Sequence, residues 1–78
     1  MEFAKLKEII SDVLHLNADQ ITEDADLVRD LGADSLDLFE IYVEIGKVFE
    51  VEVSEEDEGR IVTVGDVLDV IRHTKSGI

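Results

Sequence analysis

The sequence has no cysteine and no proline, and basic residues are scarce: 7 Lys and Arg stand against 20 Asp and Glu, for a net charge of −13. Without cysteine, neither a disulfide framework nor a thiolate metal site can form. Without proline, repeats or a low-complexity linker, nothing marks an internal domain boundary. The shortage of cations excludes nucleic acid, whose phosphates need Lys and Arg partners, and disfavours stable binding to an anionic membrane surface. No apolar run approaches the ~20 residues needed to span a bilayer. The opening MEFAKLKEII carries two lysines but neither a long apolar core nor a cleavage pattern, so it does not read as a signal peptide, and a cytoplasmic monomer is expected.

At 78 residues the chain is expected to be one domain, 1–78, and 45% hydrophobic residues are enough for a thin packed core. The acids are unevenly placed. Between Asp30 and Glu58 eleven acids face Lys47 alone. Such a segment suits a basic partner surface and electrostatic steering of encounters.

Apolar spacing predicts four helices, one of them short, in a small all-α bundle. The first is read from Phe3, Leu6, Ile10, Val13 and Leu14 and is expected to run to about Leu14, with Asn17, Ala18 and Asp19 then breaking it. Residues 15–34 form a long loop, with Leu16, Ile21, Leu27, Val28 and Leu31 expected to pin it to the bundle and Gly32 to permit a turn. The second helix begins at Asp34 or Ser35 and runs to about Glu50. In VEVSEEDEG, Ser54 caps a short third helix that Gly59 is expected to end. The last helix opens at Thr63, with Asp66 completing a weak capping box, and residues 73–78 are expected to fray.

The second helix carries two apolar stripes. On a helical wheel Leu38, Ile41, Tyr42, Ile45 and Phe49 share one direction, with Val48 just beyond, and form the core stripe. Leu36, Phe39 and Val43 form another, with Asp37, Glu40, Glu44 and Lys47 on the outward arc. One stripe suffices to pack a helix on a bundle. Either neighbouring helices wrap around to cover the second, or it is an acid-bordered docking surface. Ser35 lies at its N-terminal end. A serine before a helix is ordinarily just a cap. A phosphodiester there would be favoured by the free N–H groups and the helix dipole.

The run LVRDLGADSLDLFEIYVEIGKVF resembles the acyl carrier protein family, whose attachment motif reads Leu-Gly-X-Asp-Ser-Leu, here Leu31 to Leu36. The resemblance extends over nearly the whole chain in helix order, length and acidity. It departs before the third helix, where Val53-Ser54 replaces a frequent proline. The resemblance implies that Ser35 bears a 4′-phosphopantetheine arm, with Asp34 and Leu36 beside it, and that the arm holds acyl groups as thioesters. It implies a phosphopantetheinyl transferase and fatty acid synthesis enzymes with basic patches as partners. These would dock on Leu36, Asp37, Phe39, Glu40, Val43 and Glu44. The acyl chain would enter among Leu38, Ile41, Ile45, Ile61 and Leu68, which are equally ordinary core residues. Fatty acyl, polyketide and aminoacyl carriers share this pattern, and high acidity with GADSLD leans toward the first.

Other readings are weaker. An enzyme would need Ser35 joined to His15 or His73, at the end of the first helix and in the tail, in a chain too small for a buried oxyanion hole. A calcium loop starting at Asp24 and Asp26 fails, with Arg29 where glycine is needed and Ser35 where glutamate is, so no metal is expected. A plain acidic interaction module would keep the docking surface and leave Ser35 without a role.

Overall fold

The computed structural model describes the backbone of residues 2–76 and the side chains of residues 2–73. Its four helices are α1 (Glu2–Leu14), α2 (Ser35–Phe49), α3 (Glu55–Arg60) and α4 (Val64–Ser76). The all-α bundle with three longer helices and one short one is as expected. A 3-10 turn, Ala18–Gln20, interrupts the long connection between α1 and α2.

Each helix end has a local cause. α1 ends at Leu14, as its apolar spacing predicts. His15 adopts a left-handed conformation, φ 58°, and the Leu16 N–H turns back to the Ser11 carbonyl at 3.1 Å. That backward bond satisfies a carbonyl the helix would otherwise leave open. Glu50, φ 55°, closes α2 with the same left-handed conformation. At α3 the Ser54 hydroxyl accepts the Asp57 N–H at 3.1 Å, and the Asp57 carboxylate accepts the Ser54 N–H at 3.3 Å. Gly59, expected to end α3, lies inside it; the helix closes where the Ile61 N–H meets the Glu58 carbonyl. α4 continues helically through 73–76, where fraying was expected, and Gly77 and Ile78 lie outside the described residues.

The core gathers Leu6 and Ile10 of α1, Ile41 and Ile45 of α2, and Leu68 and Ile71 of α4, all at most 1% exposed. Ile9, which the apolar spacing of α1 had passed over, is also buried. α3 buries no residue of its own. It is held by the half-buried Val51, Val53 and Ile61 that flank it. Four acids in its first turn favour the positive end of its dipole.

The long connection is bolted to the bundle. Ile21, Ala25, Leu27 and Ala33 are buried, whereas Val28, expected to help pin it, points outward. Backbone bonds tie it to the start of α4: Leu27 N–H to the Val62 carbonyl at 3.0 Å, Val64 N–H to the Ala25 carbonyl at 3.1 Å, and Gly65 N–H to the Glu23 carbonyl at 2.7 Å. The last contact leaves little room for a side chain. A Cβ at Gly65 would sit 3.1 Å from the Glu23 carbonyl oxygen.

Candidate functional site

The serine is delivered by the segment before it. Asp26, read above against a calcium loop, and Asp30 use their carboxylates on backbone instead. Asp26 accepts the Val28 and Arg29 N–H groups at 2.9 and 2.8 Å, and Asp30 accepts the Asp26 N–H at 2.8 Å. This shapes one tight turn. Gly32 then takes φ +76°, where glycine carries no steric cost, and Ala33 is buried with its N–H on the Leu27 carbonyl at 2.9 Å. The chain therefore enters α2 from a fixed point.

At that entry Asp34, and not Ser35, is the N-cap. Its carboxylate accepts the Asp37 N–H at 2.9 Å, its carbonyl accepts the Leu38 N–H at 3.0 Å, and Asp37 returns a carboxylate oxygen to the Asp34 N–H at 3.2 Å. This reciprocal arrangement satisfies the orphan donors that a capping serine would otherwise serve. Ser35 is the first residue of the helix and exposed, and its hydroxyl has no hydrogen bond among the described residues. The N–H groups of Ser35 and Leu36 likewise have no partner among them. An exposed, unengaged alcohol beside free N–H groups at the positive end of a fifteen-residue helix fits an esterified phosphate.

The second apolar stripe is exposed, as the docking reading requires: Leu36 is 70%, Phe39 63% and Val43 38% accessible. Phe39 and Val43 meet Val13 and Ile9 of α1 in a groove of about 330 Å³, with Asp12, Glu40 and Glu44 on its walls. The α1 side of this groove was not legible in the wheel of α2 alone. Asp37 is only half exposed because it completes the cap. Glu44 lies 3.9 Å from Lys47, an exposed pair of small energetic weight.

The candidate acyl-lining residues are divided. Ile41, Ile45 and Leu68 are buried and tightly placed in the core, while Leu38 and Ile61 are half-buried. A separate recess of about 340 Å³ begins at Ser35 and is lined by Leu38, Phe39, Tyr42 and Glu58. Burial, and then the nearby Glu58 carboxylate, push the Tyr42 phenol above its ordinary range. Both effects penalise the phenolate. The histidines of the enzyme reading stand apart. His15 is exposed at the end of α1 and His73 is exposed on α4.

An unengaged serine at the head of a helix in a small helical bundle accords with a carrier of a serine-linked prosthetic group. The family model for the phosphopantetheine attachment site matches residues 4–71. The acyl carrier protein of Clostridium perfringens is 46% identical over 74 residues, covering 94% of this chain and 97% of that one. Among solved structures, a Mycobacterium tuberculosis chain provisionally assigned as an acyl carrier protein superposes with a TM-score of 0.87 at 33% identity, covering 92% of this chain and 96% of that one. The acyl carrier protein of Enterococcus faecalis gives 0.77 at 36% identity, with 92% and 91% covered. The chain belongs to the acyl carrier protein family and so has phosphopantetheine as its covalent prosthetic group.

Proposed function

We propose that Ser35 is the attachment residue and that the protein, acting as a carrier and not as a catalyst, presents thioester-bound acyl intermediates to cytoplasmic fatty acid synthesis enzymes. The observation that carries this is the division of labour at the head of α2. Asp34 and Asp37 cap the helix between them, which leaves the Ser35 hydroxyl free. When bound, the arm supplies a terminal thiol that holds the acyl group as a thioester. The chain's own residues do the rest. The rigid turn from Asp26 to Ala33 holds Ser35 outward. Leu36, Phe39 and Val43 offer apolar contact, and Asp37, Glu40 and Glu44 select basic partner surfaces and speed encounter. No described helix is long and apolar enough to cross a membrane, which accords with delivery between separate enzymes.

Attachment would proceed by attack of the Ser35 oxygen on the β-phosphorus of coenzyme A. The new bond is serine O–P, the bond broken joins the two phosphates, adenosine 3′,5′-bisphosphate leaves, and the serine proton passes to the transferase. Incubation with coenzyme A and a phosphopantetheinyl transferase should add one phosphopantetheine to the wild type and none to Ser35→Ala. Modification of the alanine variant would move the attachment site elsewhere.

A further inference from the structure

One carboxylate on α1 works against its own helix. Asp12 lies in the last turn of α1, which carries no basic residue. That is the negative end of the helix dipole, where a carboxylate is unfavourable. Asp12 is exposed and makes no ion pair or hydrogen bond among the described residues. Nothing within the bundle compensates it.

Asp12 does have a place in the groove between α1 and α2. Ile9, Val13, Phe39 and Val43 supply the apolar lining, with Asp12 on the α1 side and Glu40 and Glu44 on the α2 side. The groove is short. Ile9 to Val13 covers about 6 Å of α1, and Phe39 to Glu44 about 7.5 Å of α2. That is little more than one helical turn, the spacing of two side chains at i and i+4 on a third helix.

Charge selects among the occupants. A second copy of the chain would bring a net charge of −13 against the same sign. An acyl chain would cover the apolar lining and leave the carboxylates without counter-charge. A helix with two apolar anchors flanked by arginine or lysine satisfies both parts of the groove.

We infer that the docking surface is the α1–α2 groove and not α2 alone, and that it receives a basic amphipathic helix of a partner protein. Two apolar side chains of that helix, at i and i+4, pack against Val13 and Val43. Its cations meet Asp12 on one side and Glu40 on the other. The inference rests on the reading that α2 meets basic partners, and it adds α1 as the second wall and a helix as the element bound.

The probe is a fluorescent alanine-based peptide of about 18 residues, long enough to be helical alone, with leucines at i and i+4 and arginines beside them. Anisotropy is read in about 0.15 M salt, where screening over ~8 Å limits the pull of distant charges. The peptide should bind saturably, and a version with alanine for both leucines should bind at least about 10-fold more weakly. Asp12→Lys should weaken binding about 5-fold, the upper end for an exposed ion pair. Glu56→Lys, on α3, makes the same change in net charge and should weaken it less than about 2-fold. Asp12→Lys should melt no lower than the wild type, because a cation suits that helix end. Val13→Ala, with its fold checked by melting, should weaken binding roughly 3–10-fold.

Equal effects of Asp12→Lys and Glu56→Lys, or indifference to the leucines, overturn the inference. So does the absence of saturable binding up to about 1 mM peptide. Dimerisation of the protein alone that Val13→Ala abolishes would give the groove to a second copy, and loss of peptide binding on acylation of the arm would give it to the acyl chain. Either result overturns the inference too. Loading by a transferase, measured alongside, tests the reading beneath it: slower loading of Glu40→Lys with unchanged loading of Asp12→Lys keeps docking on α2 and removes α1 from it, whereas loading that neither variant slows overturns both.

Discussion

Asp34 and Asp37 cap α2 reciprocally, each carboxylate accepting the other's backbone N–H, at 2.9 and 3.2 Å. Ser35 lies between them and takes no part. Two residues that sequence alone offers as alternative caps therefore have separable roles. Asp34→Ala should destabilise the fold by about 1 kcal/mol, the ordinary cost of losing a cap. Ser35→Ala should change stability by less than about 0.5 kcal/mol, as for an exposed side chain without partners. Thermal melts of the two variants check this. Equal destabilisation would return Ser35 to a capping role.

Val43 and Ile45 stand two residues apart on α2 but face different surroundings, 38% and 0% exposed. Ile45→Ala should cost roughly 2–5 kcal/mol as a large-to-small change in a packed core. Val43→Ala should cost about 1 kcal/mol or less and instead slow transfer by partner enzymes. Glu40→Lys and Glu44→Lys should leave the melting temperature nearly unchanged. Their effect should appear in the association rate and its salt dependence, because charges at the edge of an interface act chiefly on encounter. Stopped-flow association with a transferase at two ionic strengths separates the cases. A Val43→Ala melt as depressed as that of Ile45→Ala would place the second stripe in the core.

The two stripes of α2 were legible in the sequence because a helix converts spacing directly into direction. The acid pairs that cap α2 and α3 were only partly so. Asp34 and Ser35 are both good caps, and only the backbone geometry at the turn decides between them. Val28 looked like a loop anchor because hydrophobicity carries no direction where there is no period, and Leu27 beside it takes the buried place instead. The end of α1 near Leu14 was legible from its apolar spacing, but the device that closes it was not. His15 is not a residue type that announces a left-handed turn, and the backward bond from Leu16 to Ser11 leaves no mark in composition. Tyr42 read as one more member of the core stripe. Its position beside Glu58 depends on how α3 folds back, which no local pattern reveals.

Crowded negative charge should limit stability. Eleven acids between Asp30 and Glu58 face one lysine, and like charges oppose compaction. Raising ionic strength from about 0.01 to 0.15 M shortens the screening length from ~30 to ~8 Å. The melting temperature should therefore rise with sodium chloride, and millimolar magnesium should raise it as well by associating with the acid-rich surface. Calorimetry across a salt series tests this. A flat response would mean the acids are too widely spaced to repel effectively.

The junction into α4 predicts a specific acid sensitivity. The Asp66 carboxylate accepts the Thr63 and Val62 N–H groups, both at 2.9 Å, and its own N–H donates to the Thr63 hydroxyl at 3.2 Å. The Thr63 and Val62 bonds lower the Asp66 carboxyl below its ordinary range, outweighing the opposing effect of burial. Because the folded value is depressed, the stabilisation is complete above the ordinary carboxylate range and is lost as pH falls through the lower folded value. Asp66→Ala should cost about 1–3 kcal/mol at neutral pH by leaving those donors without their acceptor. It should also loosen the long connection, since Val62 receives the Leu27 N–H at 3.0 Å. The gap between wild type and Asp66→Ala in chemical denaturation should be constant from pH 7 to about 5 and narrow below about pH 4, as the unfolded and then the folded carboxyl titrate. General acid effects are common to both proteins and cancel in the difference. A gap that stays constant down to pH 2.5 would show that Asp66 stabilises the turn without its charge.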